Sequence, residues 1–188
     1  MSSIQNRGAQ AGFTLHELMV TLVIIGGLSG AATAFGGMVQ NHRIVAEVNT
    51  FVAELSLARS EAIKRGQRVT LCPSIDGKGC DAATDFAWWH NGAILFTDAN
   101  ANGRVDSGDE VVRVHSPQSG VSVKSSRFRK KIVFQPNGMS GGSNFTFTVC
   151  AGNGAADARY VILSINGRTR IASAPPDGRA DQPLERCA

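Results

Sequence analysis

Gly12-Phe13-Thr14-Leu15-His16-Glu17-Leu18-Met19-Val20 is the stretch that decides the fold of this chain. It joins a polar segment, residues 1–12, to an apolar run that starts at Phe13. Between 13 and 39 there is no Lys or Arg, and Glu17 is the only acidic residue. A run of this length is long enough to span a bilayer as a helix. Because a lone carboxylate in hydrocarbon is costly, Glu17 is a candidate functional residue that needs a partner.

The order of the two segments is unlike that of an ordinary secretory signal. Such a signal has its apolar region before the cleavage site and small residues at that site. Here the polar segment comes first, and Arg7 is its only charged residue. The alternative interpretation is a plain signal anchor in which Glu17 is incidental.

Past Gly37 the apolar run becomes an amphipathic stretch. Apolar residues recur at helical spacing with charged residues between them. Lys64 and Arg65 suit the negative end of a helix, and Gly66 suits its C-cap. The pattern predicts one helix from Thr14 to Arg65. The apolar stripe of its second half consists of Ile44, Val45, Val48, Phe51, Val52, Leu55, Leu57 and Ala58.

After Gln67, short β-prone runs alternate with clusters of Gly, Asn, Asp and Ser. This pattern predicts an antiparallel sheet or sandwich packed on the exposed half of the helix, and therefore an α+β fold. The predicted strands are 68–72, 93–97, 111–115, 121–124, 131–135, 145–150, 159–165 and 168–172.

Charge is distributed unevenly along the chain. The formal net charge is +4. Residues 13–120 hold 8 basic and 11 acidic side chains, whereas 121–188 hold 10 basic and 4 acidic ones. The C-terminal third is therefore a basic region attached to a mildly acidic one.

The four cysteines are Cys72, Cys80, Cys150 and Cys187. The absence of a Cys-x-x-Cys motif and the presence of only four His argue against a zinc site. Four cysteines allow three pairings, and reduced thiols are a further alternative. Cys72 with Cys80 is the local choice, and Cys150 with Cys187 would then tie the C-terminal tail to a strand. An oxidising periplasm would preserve such bonds.

The leader resembles the class III leader of type IV pilins and pseudopilins. The resemblance implies cleavage by a prepilin peptidase between Gly12 and Phe13, followed by methylation of Phe13. It also implies that Glu17 pairs with the N-terminal amine of a neighbouring subunit and sets the register of assembly. In related pilins a disulfide often closes the C-terminal region, which supports the Cys150–Cys187 pairing.

The rest of the chain is similar to the GspH/FimT group of minor pilins and pseudopilins. The similarity lies in the stretches 57–66, 69–74, 96–100, 145–150 and 167–170. It implies a leader at 1–12, a membrane and assembly helix at 13–38, the amphipathic half of that helix at 39–66, and a periplasmic β-rich domain at 67–188. The implied partners are other major and minor pilins, the peptidase and the inner membrane, and the final location is a pilus or pseudopilus.

Three functions are consistent with that group. A FimT-like minor pilin binds DNA during natural transformation, with a Gly-Arg-x-Arg motif among the contacts. A FimU-like minor pilin primes filament assembly, and an H-type pseudopilin serves type II protein secretion. Gly167-Arg168-Thr169-Arg170 favours the first.

The Arg-x-Arg segment also has a direct physical interpretation. Asn166-Gly167 between two β-prone runs predicts a type I′ hairpin turn. Arg168 and Arg170 would then share one strand face, roughly 7 Å apart, close to the phosphate repeat of a nucleic-acid strand. The alternative is that these charges protect a sheet edge. Further basic residues that would extend a DNA-binding surface are Lys124, Arg127, Arg129, Lys130, Lys131, Arg179 and Arg186.

A loop rich in Asp and Asn follows the second predicted strand. Its oxygen-bearing side chains stand at positions 1, 3, 5, 9 and 12 of an EF-hand-like pattern with Gly103 at position 6. Calcium is therefore one interpretation, and an Asx-rich hairpin turn held by its own side chains is the other. The residues concerned are Asp98, Asn100, Asn102, Asp106 and Asp109.

No catalytic motif is evident in the sequence. P-loop and His-Glu-x-x-His patterns are absent, so we do not expect an enzyme or a cofactor. Trp88-Trp89 is more typical of a core or a subunit contact than of a platform for stacking bases.

Overall fold

The computed structural model describes residues 12–81, 87–116, 120–125, 130–142, 144–151 and 158–174, without the side chains of 30–37 and 87. It contains a long helix followed by short strands, as the α+β prediction requires. The helix α1 spans Leu15–Arg65, and Trp89–Asn91 form one turn of 3-10 helix. The strands are β1 (Val69–Pro73), β2 (Ala87–Trp88), β3 (Ala93–Thr97), β4 (Val111–His115), β5 (Val121–Ser125), β6 (Ile132–Phe134), β7 (Phe145–Ala151), β8 (Arg159–Leu163) and β9 (Thr169–Ala172).

Local chemistry sets both ends of α1. The Thr14 hydroxyl oxygen accepts a hydrogen bond from the backbone N–H of Glu17 at 3.3 Å, which caps the N-terminus. At the other end Gly66 has φ +63° and donates its N–H to the Ile63 carbonyl at 3.3 Å. The left-handed conformation favours glycine at this position. The helix therefore begins one residue after its predicted start and ends at Arg65, as predicted.

The chain divides into two compact units, Met1–Val39 and Gln40–Ala188. Within the described residues no helix is long and apolar enough to cross a membrane. The membrane span expected at 13–38 remains a prediction, as do cleavage at Gly12–Phe13 and the assembly role of Glu17. The fold and the site described below belong to the second unit.

Strand pairing in the second unit produces two antiparallel sheets. The first has the order β4-β3-β1-β6, and the second has the order β2-β5-β7-β8-β9. In the second sheet Leu163 lies opposite Thr169 and Val161 lies opposite Ile171, which fixes the register of the β8–β9 hairpin. β9 is an edge strand of that sheet. The predicted sandwich is thus confirmed, with the short strand β2 as an addition that the sequence pattern did not indicate.

The two sheets and the second half of α1 share one hydrophobic core. Buried residues of the helix pack with inward-facing residues of both sheets. Burying such side chains is the main favourable contribution to folding. The helical members of this core are Ile44, Val48, Phe51, Leu55, Ala58 and Ala62.

The aromatic centre of the core contains Trp89, which is 1% exposed. Its ring packs edge-on against Phe51 and Phe147, with centroid distances of 5.7 and 5.4 Å. The indole N–H donates to the Ser125 hydroxyl at 2.9 Å. Trp89 is therefore a core residue, as expected, and is not available to stack on bases.

A disulfide between Cys72 and Cys80 helps to cover the outer face of the first sheet. The two Cα atoms are 5.5 Å apart. Cys80 and Val105 pack on a small cluster of Cys72, Ile94 and Phe96. The local pairing is confirmed. Cys150 is buried and is not a free thiol, but Cys187 lies outside the described residues, so its pairing remains a prediction.

A buried charged cluster joins β4 to α1. The Nδ1 atom of His115 is 2.7 Å from a carboxylate oxygen of Glu54, and its Nε2 atom is 3.6 Å from Glu47. All three side chains are at most 8% exposed. Arg113 approaches Glu54 at 3.8 Å from the rim. Hydrogen bonding to the Glu47 and Glu54 carboxylates raises the pKa of His115 to about 9.

This cluster predicts that stability declines in mildly alkaline solution. Because the pKa of His115 is higher in the folded state, protonation of His115 stabilises the fold. This stabilisation is complete at pH values below the ordinary histidine pKa of about 6.5. That stabilisation is lost as the pH rises through about 9, and it amounts to at most about 3 kcal/mol. We expect urea denaturation to show the free energy of unfolding falling between these two pH values.

Two histidine variants make the measurement specific. His115→Gln should abolish the decline over this pH interval. His42→Gln, at an exposed position of α1, should leave it unchanged. A wild-type profile that is flat or rises with pH would contradict the assignment of a protonated His115.

Candidate nucleic-acid interface

The β8–β9 hairpin carries the Arg-x-Arg segment. Ser164 donates its N–H to the Arg168 carbonyl at 2.9 Å, and Gly167 donates its N–H to the Ser164 carbonyl at 2.8 Å. Gly167 has φ +72°, and Asn166 is not among the described residues with positive φ. A type I′ turn requires positive φ at both central residues, so the predicted turn type is wrong. The turn is a three-residue loop ending in a left-handed glycine, because the ladder closes at Ser164 and Arg168.

Arg168 and Arg170 are both exposed. Thr169 lies opposite the buried Leu163, whereas Arg170 lies opposite Ile162. Since alternate residues of a strand point to opposite faces, the two arginines share the side of β9 away from the core. Within the described part of the chain neither arginine has a salt bridge or a side-chain hydrogen bond. As far as the described residues go, both guanidinium groups keep their N–H donors for an anion.

A second Asn-Gly turn lies directly beneath the first. Gly138 has φ +78° and donates its N–H to the Gln135 carbonyl at 2.8 Å. A Cβ atom built on Gly167 would overlap the Gly138 carbonyl oxygen. The Ser140 hydroxyl donates to the Ser164 carbonyl at 2.9 Å and thereby links the two turns. Glycine is needed at Gly167 for both its backbone conformation and its close packing.

Arg59 of α1 holds this pair of turns on the helix. Its Nη1 atom donates to the Gly167 carbonyl at 3.1 Å. Its Nε atom would lie 3.1 Å from a Cβ atom on either Gly138 or Gly167. The sequence does not indicate this role of Arg59, because a charged residue on an amphipathic helix is typical of a solvated position. Its position relative to the buried stripe of the helix does not indicate a contact with Gly167, which lies 108 residues further along the chain.

A groove opens between this part of α1 and β9. Its cavity volume is about 510 Å³. We call it the α1–β9 groove, and its lining consists of Val52, Ser56, Arg59, Ser60, Ile63, Gly167, Arg168 and Thr169.

Of the other basic residues proposed for this surface, the structure describes Lys124, Lys130 and Lys131. Lys124 is only 5% exposed, and its ammonium lies 4.0 Å from the centre of the Trp88 ring. The prediction for Lys124 is therefore wrong, because β2 and the 3-10 turn cover its strand. Lys131 lies against Gly103, where a Cβ atom would overlap its Nζ atom. Lys130 is exposed at the same end of β6. Arg127, Arg129, Arg179 and Arg186 lie outside the described residues.

The Asp98 loop closes on its own side chains. Asp106 accepts hydrogen bonds from the amides of Asn100 and Asn102, and these bonds lower its pKa. Asp98 accepts from the Gly103 N–H at 3.0 Å and from the Thr70 hydroxyl at 2.9 Å. Asp109 accepts from the N–H of Asp106 at 2.9 Å. The loop is the self-stabilised Asx-rich hairpin of the second interpretation.

Calcium binding by this loop remains a prediction, since one oxygen of Asp98, Oδ1, is buried without a hydrogen-bond partner among the described residues. In the described residues no group of three or more His, Cys, Asp or Glu side chains is placed to hold a metal ion. The side-chain oxygens of Asn100 and Asn102, which an ion would need as ligands, accept hydrogen bonds from the backbone N–H groups of Asn102 and Arg104 at 3.2 and 2.7 Å.

Comparison with known proteins decides the family. The family model of the type II transport protein GspH matches residues 47–167. This chain belongs to the GspH family. The pilin-like protein PilA1 of Thermus thermophilus is 30% identical over 168 residues, which is 85% of this chain and 97% of that protein. The chain is accordingly a type IV pilin-like minor pilin or pseudopilin.

Solved structures agree with the fold of this GspH-family pilin. The type IV minor pilin FimU of Pseudomonas aeruginosa superposes with a TM-score of 0.54 at 18% identity, over 78% of this chain and 93% of FimU. A second crystal form of FimU gives 0.51, over 76% and 95% of the two chains. At this identity the likeness concerns the fold alone, a long helix packed on antiparallel sheets.

The packing of Gly167 generates a prediction about stability. Gly167→Ala should lower the free energy of unfolding by about 1–2 kcal/mol, because alanine is strained in a left-handed backbone conformation. Overlap of the new methyl group with the Gly138 carbonyl should lower it by roughly a further 1–3 kcal/mol. Gly66→Ala is the matched control, since Gly66 has φ +63° but nothing within 4 Å of a Cβ atom. Chemical denaturation of both variants measures the difference. Equal losses would show that the two turns do not pack as described.

Proposed function

We propose that this GspH-family protein is a minor pilin of a type IV pilus that binds DNA for uptake. The observation that carries the proposal is the pair Arg168 and Arg170 on the edge strand β9. Both are exposed, and neither has a carboxylate partner among the described residues. A strand rise of roughly 3.4 Å per residue places them about 7 Å apart along the strand.

Guanidinium groups at this spacing suit the sugar–phosphate backbone. Arginine binds phosphate oxygens bidentately. Successive phosphates of one DNA strand have a repeat of the same order. Contacts to phosphate carry little sequence information and weaken as salt rises. The proposed activity is therefore salt-sensitive DNA capture with weak sequence preference.

The proposal includes the fate of the N-terminus. A prepilin peptidase would cut between Gly12 and Phe13 and methylate Phe13. The helix from 13 to 38 would hold the subunit in the inner membrane before assembly, and Glu17 would pair with the N-terminal amine of a neighbouring pilin. These steps rest on the Gly-Phe-Thr-Leu-His-Glu stretch and on family membership.

A structural subunit without a nucleic-acid role is the second candidate. The packing of Gly167 against Gly138 and Arg59 favours this second candidate. That packing explains why the motif Gly-Arg-x-Arg begins with glycine without any contact to DNA. In this case the protein would prime a pilus, or would serve a secretion pseudopilus, and the arginines would protect the edge of the sheet.

The variant Arg168→Ala/Arg170→Ala separates the two candidates. We expect it to weaken binding of the full chain, in neutral detergent, to a short DNA duplex. The plot of log affinity against log salt should become less steep by about 2, since each phosphate contact contributes roughly 0.9. Fluorescence anisotropy at several salt concentrations gives this slope.

The double variant Lys64→Ala/Lys78→Ala is the control, because it removes the same charge from two exposed positions elsewhere. It should leave the slope close to that of the wild type. No DNA binding by the wild type, or equal effects of the two double variants, would favour the structural subunit.

A further inference from the structure

The α1–β9 groove has a lining that suits an anion. Arg59 and Arg168 are its charged residues, one from the helix and one from the hairpin. Ser60 and Thr169 add hydroxyl groups, whereas the Ser56 hydroxyl donates to the Val52 carbonyl at 2.9 Å. Among the residues that the structure describes, no acidic side chain lines the groove. Ser56, Arg59 and Ser60 face the groove together because helix residues three and four apart are neighbours. Hydroxyl and guanidinium donors around an open cavity complement a phosphate group.

Arg59 has donors left over for a ligand. A guanidinium carries five N–H donors. Within the described residues the side chain of Arg59 makes one hydrogen bond, from Nη1 to the Gly167 carbonyl at 3.1 Å, and no salt bridge. That bond fixes the plane of the guanidinium beside the residue that precedes Arg168. Arg59 is thus a charged group that is held in place and that no described carboxylate neutralises.

We propose that the α1–β9 groove seats a backbone phosphate of DNA at Arg59, with Arg168 at the rim of the groove, which makes Arg59 a DNA-contacting residue. This inference rests on the proposed function and extends its site from the hairpin to the helix. Arg168 lines the groove and shares a strand side with Arg170, so a DNA strand that follows the three arginines passes around the edge at β9. The alternative role of Arg59 is to hold the two turns in place without touching DNA.

The salt dependence of binding distinguishes contact from support. Arg59→Gln should reduce the slope of log affinity against log salt by about 0.9, the value of one phosphate contact. Arg59→Lys keeps the charge and should keep the slope close to the wild-type value. Lys64→Gln is the matched control, since it removes one charge from an exposed position of the same helix. It should leave the slope unchanged.

A second pair of variants leaves the tether between Arg59 and Gly167 intact. Ser60→Glu places a carboxylate in the groove at an exposed position, and Ala46→Glu places one at an exposed position of α1 outside the groove lining. We expect Ser60→Glu to weaken binding of a DNA duplex clearly more than Ala46→Glu at the same salt concentration. Melting temperatures and amide spectra of all variants establish that they are folded.

The outcomes separate this inference from the function it extends. A wild-type slope for Arg59→Gln, with equal effects of the two glutamate variants, would overturn the groove and leave the hairpin arginines as the site. A reduced slope for Arg59→Gln, restored by Arg59→Lys, would establish the contact. If the wild type binds no DNA at low salt, the proposed function fails and the groove proposal fails with it.

Discussion

Burial of one stripe of α1 is the constraint on which the rest of this structure depends. The stripe runs from Ile44 to Ala62, and inward-facing residues of both sheets pack on it. Neither sheet can bury its inner face without the helix, so the helix and the two sheets form one core. The orientation of the helix then decides which residues meet the edges of the sheets. The functional surface follows from that orientation.

Two consequences of this packing lie on opposite sides of the helix. On one side the carboxylates of Glu47 and Glu54 are drawn under β4, where His115 compensates their charge. On the other side Arg59 meets the stacked Asn-Gly turns beside β9. The first contact stabilises the sandwich. The second holds the β8–β9 hairpin on a rigid element and gives Arg168 a fixed position, which is what a phosphate-binding site requires.

Much of this architecture could be predicted from the sequence, because the periodicity of apolar residues indicates which face of a helix or strand is buried. The helix bounds and eight of the strands follow from it, and the Cys72–Cys80 bond follows from short spacing. Contacts between residues far apart in the sequence could not be predicted in this way. The sequence around Lys124 is typical of an exposed lysine, but Trp88 of β2 covers it in the structure. Arg59 looks like a solvated residue until the hairpin reaches it. The turn at Asn166 was named wrongly because the dipeptide does not reveal where the ladder closes.

The most direct test of the central claim is an NMR titration of the full chain in detergent with a short DNA duplex at two salt concentrations. We expect amide shifts centred on Gly167 to Arg170 that shrink at the higher salt concentration, because the contacts are to phosphate. Shifts absent at low salt, or centred on a distant part of the β-sandwich, would contradict this claim. Without shifts at low salt, the protein would be a structural subunit of its filament.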